Sequence, residues 1–252
     1  MSTGKTIRLN HIFAQDGRSV VVAIDHGLPG MGPFGALKTP GKLLRQIRAA
    51  GADAILATPG TAARFAADIG DLGLILRLDG GATTLGEGVG KMRLIASVED
   101  ALRLGADAVA VMGFCGTPDE GDSLETLGQV AAECRRLGMP LMAEMLPLGY
   151  MAKPTVQEIV LAARIGAELG ADIIKTKYTG TPDEYREVIE TCYTPVLVLG
   201  GSAKAPDALF SEIRDSLRAG AAGVAIGRNI WQAEDVEGTT RRMVSAVHGA
   251  TS

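Results

Sequence analysis

The chain has 252 residues, 46 % hydrophobic and 21 % charged, with 33 glycines and 4 % aromatics; that length buries a sizeable core and reads as one domain over residues 1–252. A net charge of −4 without any basic run excludes strong attraction to nucleic acid or to an anionic membrane surface, both of which require clustered Lys and Arg. No stretch reaches the roughly 18 apolar residues of a membrane span, and Met1 to Thr6 carry no apolar signal core, so a cytoplasmic protein is expected.

In chain order, amphipathic stretches alternate with short aliphatic runs. Strands are predicted at Ser19 to Ile24, Ile55-Leu56, Leu74 to Leu78, Ala108 to Val111, Pro140 to Met145, Ile173-Ile174, Pro195 to Leu199 and Val224 to Ile226. Helices are predicted near Gly41 to Ala50, Thr61 to Ala67, Ser97 to Leu104, Leu124 to Leu137, Val156 to Leu169, Asp183 to Thr191, Ala208 to Ala219 and Asp235 to Val247. Gly51, Gly105, Gly170 and Gly220 each follow a helical pattern and precede an apolar run, where a left-handed residue ends the helix. Eight such units predict a single (β/α)8 TIM barrel with parallel strands. Cys115, Cys134 and Cys192 are odd in number and lack CxxC spacing, which predicts reduced thiols and no zinc site.

Catalytic groups of this architecture stand at the C-terminal strand ends. The first strand delivers Asp25 and His26, which alternate in direction, so Asp25 is the candidate for the centre and His26 is either a supporting or a core histidine. Arg77 ends the third strand, where it either holds an anion or pairs with a barrel acid. The loop after the fourth strand holds Cys115, without a histidine at an informative spacing. Glu144, among apolar neighbours on the fifth strand, is a candidate proton-transfer group with a raised pKa unless a cation lies near; the other reading makes it a buried partner of Lys175 or Arg77.

On the sixth strand Lys175 and Lys177 share the inward face. Two ammonium groups over an apolar floor disfavour their charged forms, and a lysine that loses its proton can attack a ketone or aldehyde. The resulting iminium is an electron sink for carbon–carbon cleavage or formation. Both lysines as anion ligands is the alternative reading.

The last two strands end in Gly200-Gly201-Ser202 and Gly227-Arg228-Asn229. Loops at these two places are the usual phosphate site of the fold, with backbone N–H groups approaching the anion closely. Gly4-Lys5-Thr6 and Gly86-Glu87-Gly88-Val89-Gly90-Lys91 look like P-loop ends but lack the earlier glycine, and both read as loop.

Asp25-His26-Gly27, Lys175-Thr176-Lys177-Tyr178-Thr179-Gly180, Gly200-Gly201 and Gly227-Arg228-Asn229 together resemble the archaeal-type class I aldolases, over nearly the whole chain. That group includes fructose-bisphosphate aldolase, aminodideoxyheptulosonate synthase and autoinducer-2 phosphate thiolase. The resemblance implies an oligomeric barrel that works without metal or cofactor, with Lys175 forming the Schiff base, Asp25 in acid/base work and the two glycine loops on phosphate.

One departure bears on the substrate. Where the aldolases and the synthase carry Tyr-Pro-Arg-Gly, this chain has Leu146-Pro147-Leu148-Gly149. Glu144, two residues earlier on the same face, is the first candidate for the missing proton transfer; Tyr150 and Lys153 are others. The expected activity is a class I aldolase acting on a phosphorylated keto sugar or related carbonyl compound, with dihydroxyacetone phosphate as one half. Lys175, Asp25 and Glu144 are its candidate catalytic residues. Gly200, Gly201, Ser202, Gly227, Arg228, Lys177, Arg77 and His26 are its candidate substrate contacts. A thiolase-like acyl transferase using coenzyme A and a non-catalytic phosphosugar binder are the other readings.

Overall fold

The computed structural model describes residues 2–80, 83–85 and 92–249. Eight parallel strands close into a barrel: β1 (Ser19–Ala23), β2 (Ala54–Ala57), β3 (Gly73–Arg77), β4 (Ala108–Gly113), β5 (Leu141–Met145), β6 (Ile173–Lys177), β7 (Val196–Leu199) and β8 (Gly223–Ile226). The outer helices are α1 (Thr3–Leu9), α2 (Pro40–Ala49), α3 (Pro59–Arg64), α4 (Ala66–Ile69), α5 (Val98–Arg103), α6 (Glu120–Leu137), α7 (Val156–Leu169), α8 (Pro182–Thr191), α9 (Pro206–Arg218), α10 (Arg228–Trp231) and α11 (Val236–His248). The TIM-barrel expectation is met, and Gly51, Gly105, Gly170 and Gly220 all have positive φ, as the helix-ending turns require.

Strand parity sorts the core into two shells. Val20, Val22, Leu74, Leu76, Val109, Val111, Ile174 and Val198 face the helices. Val21, Ala54, Leu56, Ile75, Ala108, Ala110, Met142, Ile173, Leu197 and Ala225 fill the barrel, closed from below by buried Ile12. Alanines at five interior positions, counting Ala23, keep the interior narrow, which accords with the low aromatic content.

The Gly-Ala-Asp repeat has a structural use at the N-terminal end of the barrel. The backbone N–H groups of Asp53, Asp107 and Asp172 donate to the carbonyls of Val20, Leu74 and Leu141 at 3.1, 2.7 and 2.8 Å. Their carboxylates accept from the N–H groups of the same three residues at 2.6, 3.0 and 2.9 Å. Each aspartate thus locks an even strand to the odd strand before it. Each also meets one basic group: His248 for Asp53, His11 for Asp107 and Lys5 for Asp172.

Gly4-Lys5-Thr6 is not loop, as its composition suggested, but lies in α1, capped by the Ser2 hydroxyl, with Lys5 buried against Asp172 at 2.8 Å. The second glycine-rich segment, Gly86 to Lys91, lies outside the described residues. The sixth helix starts at Glu120, earlier than its apolar period indicated, because its first turn is polar and exposed. The four-residue helix α10 also escaped the pattern. It is fixed by tertiary contacts: the Trp231 indole N–H donates to the Ala23 carbonyl at 3.2 Å, and its ring meets His26 edge-on at 5.3 Å.

Candidate active site

Inward parity carries six strands' side chains to one rim: Asp25, Arg77 and Asp79, Met112, Glu144 and Leu146, Lys175 and Lys177, and Leu199. Together with the loops after β1, β5, β7 and β8 they line a cleft of about 600 Å³, a size suited to a small substrate.

Arg77, 1 % exposed, stands at the centre. Its Nε donates to Asp25 Oδ2 at 2.9 Å, its Nη1 to Asp79 Oδ1 at 3.3 Å, and its Nη2 to Glu144 Oε2. Asp79 also accepts the Met112 backbone N–H at 2.7 Å. Glu144 and Lys175 are register partners on neighbouring strands, so their side chains rise together, and Lys175 Nζ lies 2.8 Å from Glu144 Oε1. Glu144 therefore joins the two cations through its two oxygens. Arg77 thus pairs with barrel acids, and Glu144 is a buried partner of both Lys175 and Arg77, a position that leaves its proton-transfer reading open.

The charges follow from these contacts. Burial alone would raise the Glu144 pKa, but Lys175 and Arg77 beside it bring it below the ordinary value. Asp25 behaves likewise: burial raises, and Arg77, His26 and Lys175 together lower it further than burial lifts it. Asp79 stays raised, because burial outweighs Arg77 and the Met112 N–H. Three carboxylates raise Arg77 well above its usual value despite burial. Burial depresses the His26 pKa, and its Nδ1 sits 3.5 Å from Asp25 Oδ1 without forming a hydrogen bond.

Two expectations for the lysine pair change. The apolar floor is present in Met142 and Ile173, but Lys175 is paired at its own level with Glu144, so the cation beside it is matched by a carboxylate. Lys177 shares the inward face but bends away from Lys175, donating to the carbonyls of Gly149, Tyr150 and Ala152 at 3.4, 3.1 and 2.7 Å. It ties the loop after β5 over the barrel mouth. Arg77 and Lys177 thus spend their donors on protein acceptors, although sequence had placed both among the substrate contacts.

The glycine loops of β7 and β8 converge on the same cleft, bringing Gly200, Gly201, Ser202, Gly227 and Arg228 to its wall. Asn229 clamps them together. Its Nδ2 donates to the Gly200 and Ser202 carbonyls at 3.1 and 3.3 Å, and its Oδ1 accepts the Lys204 N–H at 2.8 Å. A Cβ at Gly227 would overlap His26 Cε1 and the Ala23 carbonyl oxygen, so the close approach of the β8 loop to the end of β1 needs glycine there. Arg228 Nε is buried without a partner, and burial lowers this group's pKa.

Opposite the glycine loops the wall is apolar. Met112, Phe114 and Leu146 form a small cluster, and Tyr150 stands edge-on to Phe114 at 5.3 Å. Leu148 adopts φ +61°, an uncommon backbone for a branched residue, held by its N–H donating to the Cys115 carbonyl at 2.7 Å. Cys115 is buried and its thiol is pushed up to about 11, consistent with a packing role.

Asp79, Asn229 and Lys204 carry no assigned role in the sequence reading. Nothing local marks these residues, whose roles arise from Met112, Gly200 and Asn229 on other strands and loops. Among the described residues no group of three or more His, Cys, Asp or Glu side chains is arranged to hold a metal ion; Arg77 occupies the point on which Asp25, Asp79 and Glu144 converge.

The sequence profile described as DeoC/LacD family aldolase matches residues 19–233, from the start of β1 to just beyond α10. The 2-amino-3,7-dideoxy-D-threo-hept-6-ulosonate synthase of Halobacterium salinarum is 37 % identical over 250 residues, covering 97 % of this chain and 92 % of that protein. The class 1 fructose-bisphosphate aldolase of Thermoproteus tenax is 35 % identical over 253 residues, covering 97 % of this chain and 95 % of its own. A solved archaeal fructose-1,6-bisphosphate aldolase, with its catalytic lysine covalently bound to a carbinolamine intermediate, superposes with a TM-score of 0.89 at 33 % identity, covering 97 % of this chain and 100 % of that one. With a parallel barrel that brings a lysine, a carboxylate and two glycine loops to one cleft, the chain belongs to the DeoC/LacD family of aldolases and is a Schiff-base-forming class I aldolase.

Proposed function

We propose that Lys175 forms the imine with a phosphorylated keto substrate, that Glu144 and Asp25 move the protons, and that Gly200, Gly201, Ser202, Gly227 and Arg228 hold the phosphate. The observation that carries this reading is the 2.8 Å contact of Lys175 Nζ with Glu144 Oε1 at the floor of a cleft whose adjoining wall is the two glycine loops. The N–H groups of those loops add to Arg228 as donors for the anion, while the nearby Lys204 ammonium is paired with Glu212.

Glu144, held ionised, accepts a proton from the Lys175 ammonium and leaves a neutral amine. The amine adds to the ketone carbon; the carbonyl oxygen leaves as water with one proton from the amine and one returned by Glu144. Asp25 Oδ2 is held by Arg77, whereas Oδ1 lies 3.5 Å from His26 Nδ1 and accepts no hydrogen bond from the described residues. Asp25 then accepts the proton of the hydroxyl beyond the scissile bond, that bond breaks, and its electron pair reaches the imine nitrogen as an enamine. The aldehyde departs, the enamine carbon is reprotonated, and water releases the ketone. Dihydroxyacetone phosphate is the imine-forming half, since its carbonyl lies one carbon from the phosphate ester, matching a lysine on β6 beside phosphate loops on β7 and β8.

The protein is further proposed to act in the cytoplasm as a homo-oligomer. Three free, buried thiols fit a reducing compartment, exposed Leu161 and Tyr193 offer an apolar surface for assembly, and none of the described helices is long and apolar enough to cross a membrane. The functional reading is tested by steady-state aldol and retro-aldol assays of the wild type and Lys175→Met. Loss of activity by at least about a thousandfold in a folded variant is expected; retention of wild-type turnover would reject Lys175 as the nucleophile.

A further inference from the structure

The cleft is divided by Lys175. Going round the barrel, β8 and β7 stand on one side of β6 and β5 and β4 on the other. An imine anchored on Lys175 with its phosphate on the β7 and β8 loops directs its remaining carbon toward β5 and β4, where the aldehyde half must sit. We infer that this half-site takes an uncharged, largely apolar aldehyde and not a phosphorylated one. The inference rests on the imine and phosphate reading given above.

Three observations carry it. Leu146 is the next inward residue after Glu144 and is 2 % exposed, with Met112 on β4 and Phe114 just beyond its end at 7 % and 2 %. Tyr150 covers this cluster from the loop after β5, with its phenol the polar end of an otherwise apolar surface. Aliphatic side chains and an aromatic ring leave a phosphate the single, uncharged Tyr150 hydroxyl in place of its water.

The cations nearby are occupied. Arg77 gives Nε, Nη1 and Nη2 to Asp25, Asp79 and Glu144, and Lys177 gives its ammonium to three carbonyls. Lys175 is consumed by the imine. A second phosphate would therefore approach three carboxylates with no free cation of the barrel floor to meet it, an arrangement disfavoured by both desolvation and like charge.

The backbone closes the remaining route. Leu148 turns its side chain to the outer rim, where it is 45 % exposed, so this position supplies no charge to the half-site either. Among the described residues lining this side of the cleft, the one cation left is Lys153, which is exposed at the mouth.

The test uses the full chain with saturating dihydroxyacetone phosphate and four acceptors: glyceraldehyde 3-phosphate, glyceraldehyde, isobutyraldehyde and phenylacetaldehyde. The expected result is a kcat/KM for the two apolar aldehydes at least tenfold above that for glyceraldehyde 3-phosphate. The Lys153→Ala variant, which removes the exposed cation at the mouth, should leave that ratio unchanged. A wild type that prefers glyceraldehyde 3-phosphate, or a Lys153→Ala variant that loses its use more than tenfold, overturns the inference. Borohydride reduction with dihydroxyacetone phosphate alone separates the two levels. An adduct on Lys175 together with a preference for the phosphorylated acceptor rejects only the apolar half-site, whereas no adduct and no consumption of the donor rejects the imine reading and this inference with it.

Discussion

Glu144 stands between Lys175 and Arg77 and gives one carboxylate oxygen to each, Oε1 to the lysine at 2.8 Å and Oε2 to the guanidinium. One carboxylate therefore lies beside the proposed nucleophile, placed for the proposed proton transfer, and is also part of the scaffold that holds the barrel mouth together. Register explains the proximity: Met112, Glu144 and Lys175 lie side by side across β4, β5 and β6.

Glu144→Gln keeps the shape but removes the base. Catalysis should fall by about 10²–10⁴-fold, while the adduct on Lys175 forms slowly instead of being abolished. Turnover and the rate of borohydride trapping, measured on the same preparation, check this. Unchanged turnover would assign the proton transfer elsewhere.

Arg77→Met leaves Asp25, Asp79 and Glu144 buried with Lys175 as the one remaining cation. Breaking a buried pair by removing one partner costs about 3–5 kcal/mol. Urea denaturation should report a loss of that order, and a loss below about 1 kcal/mol would mean the cluster is not the anchor described.

The acid limb follows from signs. Asp25 is depressed when folded, so its contribution is present above its unfolded value of about 3.9 and is lost as pH falls through the lower folded value. The stability difference between wild type and Asp25→Asn should hold from pH 7 to about 4 and shrink only below that. Asp79, raised by burial, has the opposite sign and takes a proton in the folded state first. A difference that already fades between pH 7 and 5 would contradict the assignment for Asp25.

Trp231 is fully buried, donates to the Ala23 carbonyl and packs on His26, which faces the cleft. Trp231→Ala should destabilise by about 3–5 kcal/mol and raise the KM for the phosphorylated ketone, because α10 carries Arg228 and Asn229. Thermal unfolding and steady-state kinetics measure the two effects. A change in stability with KM untouched would separate α10 from the phosphate loops.

Tyr150 lines the cleft, and burial raises the pKa of its phenol, so it keeps its proton through the alkaline range. Tyr150→Phe should lower kcat about tenfold or more with little change in stability. An unaltered kcat would leave the residue as wall alone.

What could be read from the sequence was what period and strand-end position determine. Alternation along short apolar runs was enough to expect Asp25, Glu144 and Lys175 at one rim, and the repeated Gly-Ala-Asp turns marked the β-α rhythm. It was not enough to say where long side chains end. Lys177 has the parity of Lys175 yet reaches carbonyls of the loop after β5, whose path no local pattern reveals. Arg77 draws its partners from β1, β3 and β5, and its saturation is visible only once the barrel is closed. The N-terminal helix was missed because Gly4-Lys5-Thr6 is a poor helical sequence that depends on the Ser2 cap and on Lys5 meeting Asp172, far along the chain.

The central claim is that Lys175 is the imine-forming residue. The protein is incubated with dihydroxyacetone phosphate, reduced with borohydride, digested and mapped by mass spectrometry. The account predicts a single adduct of one reduced triose phosphate on the peptide containing Lys175, absent in Lys175→Met and slowed in Glu144→Gln. An adduct on Lys177 or Lys153 instead, or none with any ketose phosphate tried, would contradict it.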